Sequence, residues 1–69
     1  MDKLYRVVII DDDEFSADNL CLELKKYNRL SIDGMARNGA NGRKLLEKVH
    51  PDLLFLDVEL PDMKGMELL

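Results

Sequence analysis

Two unbroken apolar runs, Val7-Val8-Ile9-Ile10 and Leu53-Leu54-Phe55-Leu56, constrain the fold of this chain more than any other feature. A run that is apolar at every position has no face to offer water. It reads as a strand covered on both sides of a sheet, and such strands belong to parallel sheets flanked by helices. Each run stops at acid: the first in Asp11-Asp12-Asp13-Glu14, the second in Asp57.

The residues between the runs alternate in type. Ala17, Leu20, Cys21, Leu24 and Tyr27 recur at spacings of three and four and predict a helix with one apolar face. The acidic residues before it suit a helix N-terminus, and Lys25-Lys26 suit its C-terminus. Leu30 to Arg37 opens with alternation, Leu30 and Ile32 against Ser31 and Asp33, which predicts an edge strand weakened at Gly34. Asn38 to Gly42 reads as a turn. A short helix follows on Leu45, Leu46 and Val49, stopped by Pro51. After Asp57, a loop from Val58 to Lys64 leads into what looks like the first turn of a further helix at Gly65.

The expected order is therefore β-α-β-α-β and the start of a third helix, an α/β fold. Alternating strands and helices imply parallel pairing. With two fully apolar strands and one half-polar strand, the expected sheet order is 2-1-3, the opening of a flavodoxin-like sheet. Its ligand crevice lies where the first and third strands diverge.

At 69 residues the chain holds one small domain at most. A domain of that size buries only about 60% of the surface its unfolded chain exposes. Cys21 is the one cysteine, so no internal disulfide staples it. A 46% hydrophobic, 35% charged composition argues against disorder. Net charge is −4 and no basic run exceeds Lys25-Lys26, so direct contact with nucleic acid is not expected. No apolar stretch reaches membrane-spanning length. Met1-Asp2-Lys3-Leu4 leads straight into the first strand without a signal peptide, and with a lone thiol this predicts a cytoplasmic protein.

Neighbouring parallel strands lie about 4.8 Å apart, so the carboxylates ending the first and third strands share one small volume. Like charges that close resist joint ionisation unless a cation is present. Hard divalent cations take oxygen ligands, and Mg²⁺ commonly sits on one or two carboxylates plus a substrate phosphate. The pattern predicts a Mg²⁺ site with one carboxylate left free to react. The plainer alternative is that Asp11 to Glu14 only cap a helix.

These residues resemble a known family. Ile9-Ile10-Asp11-Asp12-Asp13-Glu14 looks like the first-strand motif of response regulator receiver domains of two-component signalling. Pro51-Asp52-Leu53-Leu54-Phe55-Leu56-Asp57-Val58-Glu59-Leu60-Pro61-Asp62-Met63-Lys64-Gly65 is similar throughout to that family's phosphoacceptor segment. The resemblance extends modestly to regulators of the LytTR type. It implies that Asp57 accepts a phosphoryl group from a sensor histidine kinase. Asp12 would be a direct Mg²⁺ ligand, Asp11 would act partly through water, and the backbone carbonyl of Glu59 would complete the protein's ligands. The partners implied are the kinase and an output domain, often DNA-binding. The chain would be a signalling domain and not an enzyme with an external substrate.

By the same resemblance, residues 1–69 form a partial receiver whose later βα units are absent. With them go a hydroxyl residue at the end of the fourth strand and a lysine at the end of the fifth. Lys64 does not replace that lysine by position. An interior strand left unpaired on one side invites association, so self-association through the third strand is expected. Two other readings compete. A Mg²⁺-dependent phosphohydrolase of the haloacid dehalogenase type also uses an aspartate after a strand, but with a second aspartate two residues on, where this chain has Glu59. An inactive, receiver-like association module is the other, and the intact Asp11, Asp12 and Asp57 argue against it.

Other residues are read plainly. His50 is a solvated helix end, Gly39 and Gly42 are turn residues, and Cys21 is core. Met35, Met63 and Met66 are filler or loop residues. Pro61 stiffens the loop after Asp57, and Gly65 permits a conformation or close approach that a side chain would hinder.

Overall fold

The apolar run Tyr5–Ile10 forms strand β1, and its last four residues are all buried. The computed structural model describes residues 3–69, so the reading placed on Met1 and Asp2 lies outside the described residues. Strand β2 (Leu30–Ala36) and strand β3 (Leu53–Leu56) pair with β1 on either side, both parallel, in the order β2-β1-β3. Helix α1 (Glu14–Leu24) joins β1 to β2, and helix α2 (Gly39–Val49) joins β2 to β3. A 3₁₀ turn, Gly65–Leu68, closes the chain.

The two crossovers run in opposite directions across the sheet, from β1 out to β2 and from β2 back past β1 to β3. Connections of one hand therefore place α1 and α2 on opposite faces of the sheet. Alternate residues of β1 serve the two faces. Val7 and Ile9 meet Ala17 and Leu24 of α1, with Leu20, Cys21 and Phe55 packed around them. Val8 and Ile10 meet Ala36, Val49 and Leu60, with Leu45, Leu46, Met63 and Leu68 packed around those. Burying each of these four β1 side chains contributes roughly 1.5–3 kcal/mol.

Strand β2 departs from simple alternation. Its register against β1 shifts between Val7, opposite Ile32, and Val8, opposite Gly34. Asp33 is the extra residue, a bulge that exchanges the two faces. Before it, Leu30 and Ile32 pack on the α1 side; after it, Ala36 packs on the α2 side. Gly34 follows the bulge because a Cβ there would strike the Leu45 side chain.

Three readings of the chain are corrected here. Tyr27 is not part of the α1 face: the helix ends at Leu24, and Tyr27 is 60% exposed. Asn38 to Gly42 is not a free turn but the start of α2, with Asn38 as its cap accepting from the Asn41 N–H at 2.8 Å. Gly39 and Gly42 are therefore helical. A Cβ would displace the Met63 side chain at one position and the Ile10 side chain at the other.

Candidate functional site

Backbone pairing carries on past the strands and delivers two acidic residues to one place. The Asp57 N–H donates to the Ile10 carbonyl at 2.9 Å, and the Asp11 N–H donates to the Ala36 carbonyl at 3.0 Å. Asp57 and Asp11 are thus the first residues beyond the ends of β3 and β1, still held by the sheet. One carboxylate oxygen from each of Asp11, Asp12 and Asp57 lies within 4.8 Å of the other two. Asp11 and Asp57 are half-buried and Asp12 is exposed.

Asp13 does something different. Its carboxylate caps α1, accepting from the Phe15 N–H at 3.0 Å and the Ser16 hydroxyl at 3.0 Å. The hydroxyl and then the backbone N–H of Ser16 hold its carboxyl below the usual range. The Asp13 N–H in turn donates to Asp11 Oδ1 at 2.9 Å. The acidic run therefore divides: Asp13 serves the helix, while Asp11 and Asp12 face Asp57. Helix capping by Asp13 therefore leaves Asp11 and Asp12 free of that role.

The proximity shows in the charge on Asp12. Its carboxyl is pushed up, first by a hydrogen bond with the Asp57 carboxyl, then by partial desolvation and by the negative charges of Asp57 and Asp11. Three acidic groups so placed repel one another when ionised, and a cation relieves that. The donor set is all oxygen, the kind that hard cations select.

The loop after Asp57 is folded back on itself. Leu60 N–H donates to the Met63 carbonyl at 2.9 Å, and Gly65 N–H donates to the Val58 carbonyl at 2.8 Å. These bonds flank the Glu59–Lys64 pair and leave the Glu59 carbonyl outside the bridge. The Glu59 N–H points instead to Asp57 Oδ1 at 3.3 Å. Pro61 lies at the exposed tip. Lys64 stands opposite Glu59, and its backbone N–H donates to Glu67.

Two features of the site carried no signal in the sequence. Arg37, the residue after β2, pairs with Glu14 at 2.8 Å beside the acidic cluster. Asp62 reaches across the loop to the start of α2, accepting from the Gly39 N–H at 2.7 Å and the Ala40 N–H at 2.9 Å. Each partner is 22 or more residues away in sequence, beyond any local pattern. His50 is exposed and caps α2 in a left-handed conformation, away from any ligand role. Among the described residues no helix is long and apolar enough to cross a membrane.

Comparison with known proteins agrees with this geometry. The family model for the response regulator receiver domain matches residues 7–69. The chain is 34% identical over 62 residues to an uncharacterized response regulatory protein of Vibrio cholerae, covering 90% of this chain and 26% of that protein. It is 32% identical over 65 residues to the transcriptional regulatory protein BtsR of Escherichia coli, covering 94% of this chain and 27% of BtsR. It is 38% identical over 64 residues to a protein-glutamate methylesterase/protein-glutamine glutaminase of Koribacter versatilis, covering 93% of this chain and 18% of that protein. Among solved structures, the response regulator domain of Thermotoga maritima CheB superposes with a TM-score of 0.90 at 24% identity, over 96% of this chain and 49% of that one. A LuxR-family response regulator from Aurantimonas superposes at 0.88 with 18% identity, over 96% of this chain and 47% of that one. The chain spans about a quarter or less of these curated relatives and about half of the solved domains. The parallel sheet in 2-1-3 order, the acidic cluster where its strands end and the match over residues 7–69 together establish that this chain belongs to the response regulator receiver family.

Proposed function

We propose that the chain is the phosphoacceptor part of a receiver domain, in which Asp57 takes a phosphoryl group from a sensor histidine kinase with Mg²⁺ as cofactor. The observation that carries this reading is the meeting of Asp11, Asp12 and Asp57 within 4.8 Å at the ends of adjacent parallel strands. Asp11, Asp12, Asp57 and the Glu59 carbonyl are the ligands we assign to the cation.

The step itself needs little from the protein beyond placement. A carboxylate oxygen of Asp57 forms a bond to phosphorus as the P–N bond of the phosphohistidine breaks, and the imidazole leaves to regain a proton. The product is an acyl phosphate, labile enough for a reversible signal. Mg²⁺, when bound, neutralises charge on the phosphoryl oxygens. The chain's residues do the rest. The Ile10 carbonyl, by accepting from the Asp57 N–H, fixes the root of the nucleophile, and the Glu59 N–H donates to one of its oxygens. Asp13 keeps its own carboxylate on α1 and out of competition for the cation.

We assign a transcriptional, DNA-binding output to the full-length protein, by analogy with BtsR. The test is intact mass after incubation with acetyl phosphate and Mg²⁺, beside an Asp57→Asn control. One added phosphoryl group, absent from the control, supports the reading. An addition that survives in the control removes Asp57 as acceptor. Steady turnover of p-nitrophenyl phosphate would favour the phosphohydrolase alternative.

A further inference from the structure

The loop 58–64 carries Glu59 past the acidic cluster, and its position is set from its far end. Leu60 is buried and Met63 half-buried among the α2-side core residues. Asp62, between them at the exposed tip, accepts two hydrogen bonds from the first turn of α2. Those two N–H groups hold its carboxyl below the usual aspartate range.

The helix already has a cap. Asn38 accepts from Asn41 through its side chain and from Gly42 through its carbonyl. Asp62 is therefore a second, long-range partner, adding a negative charge where the helix dipole favours one. Beside it Met63 fills the space where a Cβ on Gly39 would sit, so the tip is seated by packing as well as by hydrogen bonds.

Followed around, these contacts form a closed ring. Asp57 accepts from Glu59, the narrow hairpin leads from Glu59 to Asp62, and Asp62 grips Gly39. Gly39 is three residues from Ala36, whose carbonyl holds the Asp11 N–H. The tie between Glu59 and Asp57 is long at 3.3 Å, so that contact alone does not hold the loop firmly. The short bonds at Asp62 are the ones that close the ring.

We propose that Asp62 is a positioning residue for the acidic site: by clamping loop 58–64 to the first turn of α2 it sets the Glu59 backbone against Asp57, Asp11 and Asp12, and so sets the affinity for a divalent cation. The inference rests on the proposed function for the identity of the site. Outer groups that hold metal ligands in place are typically worth about tenfold or more in affinity.

The experiment is a Mg²⁺ titration of the 69-residue chain by NMR, with Asp62→Ala, Asp62→Asn, Gly39→Ala and Val49→Ala beside wild type. Stability is measured on each by urea. Asp62→Ala is expected to weaken Mg²⁺ binding about tenfold per folded molecule and to shift the Glu59 amide resonance. Asp62→Asn keeps one of the two acceptor oxygens and turns an NH₂ toward the other N–H, so it also weakens binding. Gly39→Ala keeps the Asp62 carboxylate but displaces Met63 beside the Gly39–Asp62 bond, and acts in the same direction. Val49→Ala loosens the other end of α2 and should lower stability while leaving Mg²⁺ affinity unchanged. A folded Asp62→Ala that binds Mg²⁺ like wild type overturns the proposal. If that variant does not fold, wild-type affinity in Asp62→Asn and Gly39→Ala does the same. A fall in Val49→Ala equal to that in the Asp62 variants reduces the effect to stability alone and also overturns it. Wild type that takes no Mg²⁺ at all removes the cofactor assignment itself, and is told apart by that control.

Discussion

Gly65 lies against the carbonyl oxygen of Asp57 with no room for a Cβ between them. Its φ is not positive, so glycine is required here for closeness and not for an unusual backbone conformation. The Gly65 N–H to Val58 bond draws the chain in to this distance.

Gly65→Ala should therefore act on Asp57 directly. The obstructing atoms are backbone, with the Leu56 side chain behind them, and neither swings away freely. We expect a loss of about 1–3 kcal/mol in urea unfolding, as for other overpacked sites. The rate of phosphoryl uptake from acetyl phosphate should fall as well, since the Asp57 backbone must move. An unchanged rate with reduced stability would mean that the displacement goes into the 3₁₀ turn instead.

The crowding of Asp11, Asp12 and Asp57 implies that the site is stabler with less charge. Asp12→Asn removes the member whose carboxyl is most disturbed by its neighbours. The metal-free variant should unfold at higher urea than metal-free wild type. Added Mg²⁺ should raise the wild-type midpoint and move the variant's much less, since stabilisation by a ligand follows its affinity for the folded state. Equal shifts in both would take Asp12 out of the ligand set.

How much of this was legible follows from where the information sits. The runs Val7–Ile10 and Leu53–Leu56 declared β1 and β3 because a strand covered on both faces has one reading. Asp57 and Asp11 were legible for the same reason, as the first acids after those runs. Helix α2 began earlier than its sequence suggested, because Gly39 and Gly42 look like turn residues until Met63 and Ile10 are seen filling the space of their side chains. The bulge at Asp33 was visible only as a weakness at Gly34, since register belongs to two strands and not to one. Asp62 was invisible as a clamp because both its partners are distant in sequence.

Acid should unfold the chain through a small set of aspartates. Asp62 is held down by Gly39 and Ala40, Asp13 by Ser16, and Asp33 by Ser31 and then Arg6. Each binds its proton less readily folded than unfolded, so the native state carries fewer protons and stability rises with pH through that window. Their contribution is in full force above the unfolded value near pH 4 and is lost as pH falls through the lower folded values. Asp12 works the other way, because its carboxyl is raised. Urea midpoints from about pH 5 down to pH 2.5 should fall, and Asp62→Asn should flatten the curve. A curve of unchanged steepness in that variant would assign the acid sensitivity to Asp13 and Asp33.

His50 ends α2 at φ 52°, the one described non-glycine residue in the left-handed region. Its N–H still donates to the Leu46 carbonyl at 3.0 Å, so the cap is made in an unfavourable conformation. Glycine takes that conformation freely. His50→Gly should stabilise the chain by about 1 kcal/mol, raising Tm by roughly 4–8 °C for a domain of this size. Phosphoryl uptake should not change, since the residue lies at the opposite end of α2 from the acidic cluster. A lower Tm would show that the imidazole makes a contact worth more than the strain.

Strand β3 pairs with β1 along one edge, and among the described residues nothing pairs its other edge. Its side chains are only partly covered: Leu53 is 42% exposed, and Leu54, Phe55 and Leu56 are half-buried. An apolar strand with free N–H and C=O groups is a template for another strand. The 69 residues by themselves are therefore expected to associate through β3, copy to copy, with the apolar faces of Leu54 and Leu56 covered in the process. Sedimentation over a range of concentration should show a dimer or larger species, and the amides along the open edge should exchange more slowly as concentration rises. Leu54→Lys would place a charge on that face and should shift the population toward monomer. A monomer at all concentrations, with fast exchange along that edge, would mean that β3 tolerates solvent and that the proposed self-association is wrong.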